Sequence, residues 1–370
     1  MFSSLRRLTL RSHRSFSTSR PSPWGRTHLP NLSSLPIDIS PEVASAQAEG
    51  RAIVALESTL ITHGNLLFMP ALPGSLNFPF LPGLPPPHSI TLPIQCEQIL
   101  RTQGVTPATI AIIDGRIKVG LNEKELAFLA EKGFEARADG GKKLWKVGRR
   151  ELGAAVVKKM VGGTTVSGTM AVAHLAGIKI FSTGGIGGVH RGAETSFDIS
   201  SDLISLSDTP VVVVCAGSKS ILDIGLTLEY LEAHAVPVAG YGTDHWPAFY
   251  TPTSGFKAPM RLDGAHQVAE TIRMTDLLGL PSSLLLGVPI PEEFHAAGDA
   301  LQVAVEQAVR ESEENGVSRS GKLATPWLLE RVGQLTKGVA IVSNMALIRN
   351  NVKVGGEVAL EYAKLLKLEV

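Results

Sequence analysis

Short apolar runs of strand length recur along this chain, separated by stretches whose apolar residues fall at helical spacing. The runs Ala52–Leu56, Pro107–Ile113, Ile178–Phe181, Val211–Cys215, Pro237–Tyr241 and Ser283–Val288 contain few polar residues. Runs of this kind fit strands buried on both faces, as in a parallel sheet covered by helices. Between and after them, Val43–Glu49, Ile94–Gln103, Glu123–Glu131, Gly168–Ala176, Ser220–His234, Gln267–Leu277, Asp299–Asn315 and Pro326–Thr336 read as helices. Two more helical segments, Ser343–Asn351 and Val358–Leu366, close the chain. Local chemistry marks several ends. Ser40-Pro41 has the form of an N-cap followed by proline at the first helical position, Asn122 caps the next helix but one, and Gly104 and Gly133 stand where helices stop. Asp114-Gly115 folds the second strand onto Arg116–Leu121 as a hairpin. Strands alternating with helices predict an α/β fold, a single large domain with a mostly parallel central sheet and helices on both faces.

Two stretches break the pattern. Residues 66–87 are apolar but studded with proline and glycine, so neither helix nor strand propagates through them. They read as an inserted loop, as a lid over a site, or as sequence foreign to the native product. Residues 1–37 contain no Asp or Glu and interleave arginine with serine. That composition resembles a mitochondrial transit segment and lacks the continuous apolar core of a secretory signal. The other reading is a basic tail on a cytoplasmic protein. Either way the fold is expected in residues 38–370.

Bulk composition narrows the function by exclusion. In a chain of 370 residues, 44% hydrophobic and 19% charged content is enough for a large core. A formal net charge of +1 gives no reason to expect nucleic acid as a partner. No apolar run approaches the ~20 residues that span a bilayer, so no membrane partner is expected. Two cysteines make neither a disulfide framework nor a zinc site, and Cys215, ending the Val211–Cys215 strand, reads as core packing.

Candidate chemistry concentrates behind the strands. Ile178–Phe181 runs into Gly184-Gly185-Ile186-Gly187-Gly188 and then His190, Arg191, Glu194, Asp198 and Asp202; Val211–Cys215 runs into Lys219. In open α/β sheets the ends of strands are where ligand crevices form. The glycine cluster is not a dinucleotide fingerprint; it reads as a tight strand exit or as backbone brought close to a ligand. A lysine at the mouth of a buried strand loses hydration, which favours the neutral amine that attacks sugar aldehydes. An ordinary ion-paired lysine is the bland reading. Asp198 and Asp202, with Glu194, could offer hard oxygen ligands to a divalent metal, or simply be solvated. His190 and Arg191 suit phosphate or sugar hydroxyls. Glu57, directly after the first strand, is a candidate general acid or a solvated loop residue. Lys146, Arg149 and Arg150 at a strand–helix junction, and the Gly162–Ser167 turn before a helix, are candidate anion sites.

Four strings add a resemblance to these readings: ALESTLITHG at Ala55–Gly64, PATIAIIDGRIKVGL at Pro107–Leu121, STGGIGGVHRGAETSFDIS at Ser182–Ser200, and VCAGSKSILDIGLTLEYLE at Val214–Glu232. Together they resemble the pseudouridine-5'-phosphate glycosidases, also known as indigoidine-synthase-A-like proteins. The resemblance runs from about Ile39 to Lys367. It implies reversible cleavage of the C–C glycosidic bond of pseudouridine 5'-phosphate to uracil and ribose 5-phosphate. It also implies that Lys219 is the nucleophile, forming a ring-opened imine-type adduct, and that Glu57 is the proton donor. By the same resemblance Asp198 is the ligand of a divalent metal, Mn2+. Lys146, Val166, Ser200, Ser201, Asp202 and Asn344 then bind substrate, and the chain is a homotrimer. Two departures stand out: residues 65–83 replace a short loop, and extra glycine and lysine residues occur around Asp139–Lys143. Because the longer insertion follows Glu57 closely, a catalytically impaired paralogue that binds sugar phosphate is the rival expectation.

Overall fold

The computed structural model describes residues 32–63, 88–139, 144–317, 324–336 and 338–368. The expectations for residues 1–31, for the insertion at 65–83 and for residues 140–143 lie outside the described residues. Eleven strands form one sheet: β1 (Ile37–Ile39), β2 (Ile53–Leu56), β3 (Thr106–Ile113), β4 (Arg116–Val119), β5 (Leu144–Val147), β6 (Val161–Thr164), β7 (Ile180–Ser182), β8 (Val212–Cys215), β9 (Val238–Tyr241), β10 (Met260–Leu262) and β11 (Leu285–Gly287). The helices are α1 (Pro41–Ala48), α2 (Thr59–Thr62), α3 (His88–Thr102), α4 (Glu123–Asp139), α5 (Leu152–Val157), α6 (Val166–Leu175), α7 (Ala193–Ser196), α8 (Ser201–Asp208), α9 (Ile224–Ala233), α10 (Ala265–Leu277), α11 (His295–Glu314), α12 (Ala324–Leu335) and α13 (Val339–Lys367).

The strand order is β1-β4-β3-β2-β7-β8-β11-β9-β10, with β6 joining β3 and β5 joining β6. Among the described residues, strands pair antiparallel only where β3 meets β4 and β6; every other strand pair is parallel. Side chains along β8 show why its sequence is continuously apolar. Val212 and Val214 point into the core beneath α3, α10, α11 and α13, whereas Val213 and Cys215 join the opposite core with α6 and α8. A strand buried on both faces has no place for a polar residue. Burial pushes the Cys215 thiol up to about 12, so it packs as a small apolar group.

The predicted caps are present. Ser40 Oγ accepts from Val43 N at 3.3 Å, and Asn122 and Glu125 exchange reciprocal bonds of 3.0 Å at the start of α4. Among the expected boundaries that fail, three lie at glycine. Helix α4 does not stop near Gly133 but continues to Asp139, and Gly162-Gly163 lie within β6, not in a turn. Both glycines serve close approach to α2 or its neighbours. A Cβ on Gly133 would stand 2.6 Å from the Thr62 carbonyl oxygen, and one on Gly163 would stand 2.1 Å from Thr62 Oγ1. The two closing segments are one helix, α13, running through Gly355-Gly356. Glycine costs roughly 1 kcal/mol in a helix, a penalty that close packing against β7 offsets.

Strand β3 sets the position of the site. Its first half, Thr106–Thr109, pairs with β2, while Ala111 and Ile112 pair with β6. The two neighbours therefore share one edge of β3 in succession, and a fork opens where β2 ends. Ser58 stitches it: its Oγ donates to the Ile110 carbonyl at 2.6 Å and accepts from Thr164 N at 2.9 Å. Glu57 sits at the mouth of this fork.

Candidate active site

Four chain segments meet at the C-terminal ends of β2, β5, β7 and β8. Lys219 lies beyond β8, after Gly217 turns the chain with φ of 90°, and its amide donates to Ile186 in the neighbouring glycine-rich turn at 3.1 Å. Glu57 follows β2; its Oε1 accepts from Thr183 Oγ1 and its Oε2 from Thr59 Oγ1. Burial raises the Glu57 pKa. The two hydroxyls and the charge of Lys219 oppose that rise, and the charge of Asp202 adds to it. Lys146, on β5, projects into the same crevice, crowded by protein yet open to solvent on one side. Lost hydration lowers its pKa and the charge of Lys219 lowers it further, while Asp202, Glu57 and Glu151 pull it back up. Glu57, Lys146, Asp202 and Lys219 thus form one electrostatic group, although Glu57 and Lys219 are far apart in sequence.

The floor of the crevice is built from helix starts. Thr165 caps α6, and its Oγ1 accepts from Gly168 N at 3.4 Å; Ser200 caps α8, and its Oγ accepts from Asp202 N at 3.3 Å. Asp202 ties the two helices to the glycine-rich turn. Its Oδ1 accepts from Ser167 N at 3.0 Å and its Oδ2 from Gly187 N at 2.9 Å. Ser167 Oγ also lies 3.4 Å from Ser201 Oγ. Val166, Ser200 and Ser201 are therefore gathered at adjoining helix N-termini, whose dipoles favour an anion. Asn344, on α13, reaches the Gly184 side of the turn, and its buried Oδ1 has no hydrogen-bond partner.

Several expectations need correction. The glycines of the Gly184–Gly188 turn make room for the protein's own side chains. A Cβ on Gly185 would meet the Phe249 ring at 2.6 Å, and one on Gly187 would meet Ser200 Oγ at 2.2 Å. The basic trio at the β5–α5 junction disperses: Arg149 pairs with Asp208 and Arg150 with Glu151, both on the exposed surface, leaving Lys146 alone in the crevice. Nor do the three acids act together. Glu194 is exposed on α7, and Asp202 is 7% exposed with each oxygen already engaged. Among the described residues no three His, Cys, Asp or Glu side chains gather as a metal cage.

Asp198 stands apart from Asp202, one-third exposed, with its Oδ2 3.9 Å from His190 Nδ1. Lost hydration lowers the His190 pKa; Asp198 opposes this, while Lys219 and Lys146 add to it. One accessible carboxylate fits a Mg2+- or Mn2+-type ion that keeps most of its waters. It does not fit an ion that needs a full set of protein ligands.

Sequence reasoning passed over Thr59, Thr183, Ser58 and Asn351. The first three lie inside motifs already quoted, so the signal was present without a role attached. Nothing in the local pattern of α13 marks Asn351, whose Nδ2 donates to the carbonyls of Thr183 at 2.8 Å and Gly184 at 3.2 Å.

A doubly covered, mostly parallel sheet with an acid–lysine crevice at its strand ends defines an α/β protein that takes its ligand at the carboxyl ends of the strands. The profile of the indigoidine synthase A like proteins matches residues 79–361, and the chain belongs to that family. A pseudouridine-5'-phosphate glycosidase of Clostridium botulinum is 46% identical over 331 residues, covering 90% of this chain and 98% of the relative. One of Escherichia coli is 45% identical over 329 residues, covering 89% and 96%. Similarity over 90% of the chain has to include Glu57, because the residues beyond it make up less than that. Among solved structures, the prealnumycin C-glycosynthase AlnA, in complex with ribulose 5-phosphate, superposes with a TM-score of 0.75 at 32% identity, covering 90% and 98%. An indigoidine synthase A-like protein of Thermotoga maritima gives 0.72 at 30% identity, covering 89% and 97%.

Proposed function

We propose that this protein cleaves the C–C glycosidic bond of pseudouridine 5'-phosphate, reversibly, to give uracil and ribose 5-phosphate. The observation that carries the reading is the shared crevice of Glu57 and Lys219, each within the other's electrostatic reach and both behind parallel strands. The substrate class is supported by the curated relatives named above, which align over nearly their whole length.

A carbon leaving group has no heteroatom to protonate, so the sugar has to supply an electron sink. The Lys219 amine forms a bond to C1′ as the bond from C1′ to the ring oxygen breaks, and that oxygen takes a proton. Glu57 then gives a proton to the uracil carbon bonded to C1′. The nitrogen lone pair becomes the second bond of a C1′ iminium as the C–C bond breaks and uracil departs. Water hydrolyses the iminium, freeing ribose 5-phosphate and the lysine.

The N-termini of α6 and α8, with Val166, Ser200, Ser201 and Lys146, are assigned to the phosphate end, and Asn344 to a polar group of the substrate. Asp202 holds this floor together. Asp198 would hold a hydrated Mn2+, whose charge would assist binding of the substrate anion. The proposal extends to a homotrimer and to mitochondrial import directed by residues 1–37. Sedimentation tests the first, and a fluorescent reporter fused to residues 1–37 tests the second.

The decisive experiment incubates the protein with pseudouridine 5'-phosphate, with and without Mn2+, and measures uracil. Borohydride added with ribose 5-phosphate is expected to trap a covalent adduct on Lys219, seen by peptide mass spectrometry. An active enzyme that yields no adduct rules out the imine route. Lys219→Ala is expected to lose both turnover and adduct. Glu57→Ala is expected to keep the adduct and lose base release.

A further inference from the structure

Both carboxylate oxygens of Glu57 are held by hydroxyl groups that no chemical step above uses. Thr183, 1% exposed at the end of β7, donates to Oε1, and Thr59, opening α2, donates to Oε2. Thr183 is itself anchored: Asn351, 0% exposed, donates to its carbonyl at 2.8 Å. Thr59 is fixed by its neighbour Ser58, the stitch of the β2–β6 fork. The clamp therefore ties the proton donor to two separately braced parts of the sheet.

We propose that Thr59 and Thr183 are positioning residues for the reaction, gripping the Glu57 carboxyl group from both sides so that its proton faces the crevice. This rests on the assignment of Glu57 as proton donor. A carboxylate offers about four lone-pair directions. With one on each oxygen taken by a threonine, the transferable proton is left the directions that face substrate.

The same contacts act on protonation. Glu57 and Thr183 line a cavity whose other walls are mostly apolar, among them Leu56, Leu92, Cys96 and Ile348, with Thr109 and Ser182 the polar exceptions, and this setting favours the neutral acid. The Cys96 thiol in that wall is pushed up to about 12 and stays uncharged. The charged groups that act across the crevice are Lys219 and Asp202, with Lys146 beside them. Hydroxyl donors stabilise the ionised carboxylate, so they oppose the rise that burial causes. Reversible chemistry needs both forms, one to protonate the departing base and one to accept the proton on return.

The test uses the full chain and the variants Thr183→Val, Thr59→Val and Thr183→Ser. Difference infrared spectroscopy, with Glu57→Gln as the blank, follows the Glu57 carboxyl band through a pH titration, and uracil release gives kcat and KM against pH. Each valine variant is expected to move the Glu57 titration and its limb of the profile to higher pH. Each should also lower kcat at neutral pH by about tenfold, because the protonated acid is no longer aimed at the uracil carbon. KM is expected to stay within about twofold, because uniform substrate binding is untouched. Thr183→Ser, which keeps the hydroxyl, is expected to restore the parental titration. Folded valine variants with the parental titration and kcat overturn the proposal. So does a loss of kcat that comes without a titration shift and is not rescued by serine, since that marks packing alone. If the parent releases no uracil, the functional reading fails, while the infrared titration still reports on the clamp.

Discussion

Asp202→Asn separates the two roles open to Asp202, contact with substrate and support of the site floor. The carboxylate accepts two backbone N–H bonds, at 3.0 Å from Ser167 and 2.9 Å from Gly187, and it is 7% exposed. Asparagine is the same size but keeps only one acceptor, so one N–H is left facing an NH2 group. An unpaired buried donor costs about 1–3 kcal/mol, and the surviving bond loses its charge assistance, so the total is about 2–4 kcal/mol. The variant's urea unfolding midpoint should fall by roughly 0.5–1 M for a protein of this size. The lost charge gives a second, independent reading. Asp202 raises the pKa of both Glu57 and Lys146, so its neutral replacement should let Glu57 ionise and Lys146 deprotonate at lower pH. Uracil release would then decline earlier as pH rises, and KM for the phosphate ester would climb in the same range. The assay pairs equilibrium urea unfolding, followed by tryptophan fluorescence, with kcat and KM across a pH series from acid to alkaline. A midpoint within about 0.3 M of the parent, together with an unmoved alkaline limb, would refute the support role.

Three further outcomes follow from the geometry. Ser58→Ala removes the bonds to Ile110 and Thr164 at the fork and should cost about 2–4 kcal/mol in unfolding free energy; a loss under about 0.5 kcal/mol would show that the fork holds without its stitch. Asp38 is held down at about 2, chiefly by its hydrogen bond to Arg116 and also by Lys118. A depressed folded pKa gives stability that is present above the unfolded value and lost as pH falls. Asp38→Asn should therefore flatten the fall in stability between about pH 4 and pH 2, and an unchanged melting-against-pH curve would contradict the pairing. Asp198→Ala should abolish Mn2+ binding read by electron paramagnetic resonance, and Asp202→Asn should weaken it far less; equal loss in both variants would move the ion to Asp202.

Much of the sheet was legible because parallel strands buried on both faces leave an unbroken apolar signature. Val211–Cys215 was placed almost residue for residue on that ground. Short edge strands left no such trace: β1 and β10 are three residues each and only partly buried. Glycine misled in a consistent way. At Gly133, Gly163 and Gly187 the residue is required by a neighbour brought close from elsewhere in the fold, and local sequence cannot say which neighbour. The candidate site was legible residue by residue but not as an arrangement. Thr183 lies 126 positions from the carboxylate it holds, and Asp202 lies 35 positions from the Ser167 amide it accepts. Spacing along the chain carries no information about such pairs. For the same reason a triad of acids that looked alike in sequence separates in space into an exposed residue, an accessible carboxylate and a buried brace.

The fork at β3 bears on the unusual length of chain that follows Glu57. The register of this residue is set by β2 on Thr106–Thr109 and by Ser58 on Ile110 and Thr164. None of these pairings passes through residues 64–87, which leave after α2 and return at α3. The height of Glu57 above the sheet is thus fixed by clamps on both sides of the fork, one to β3 and one to β6.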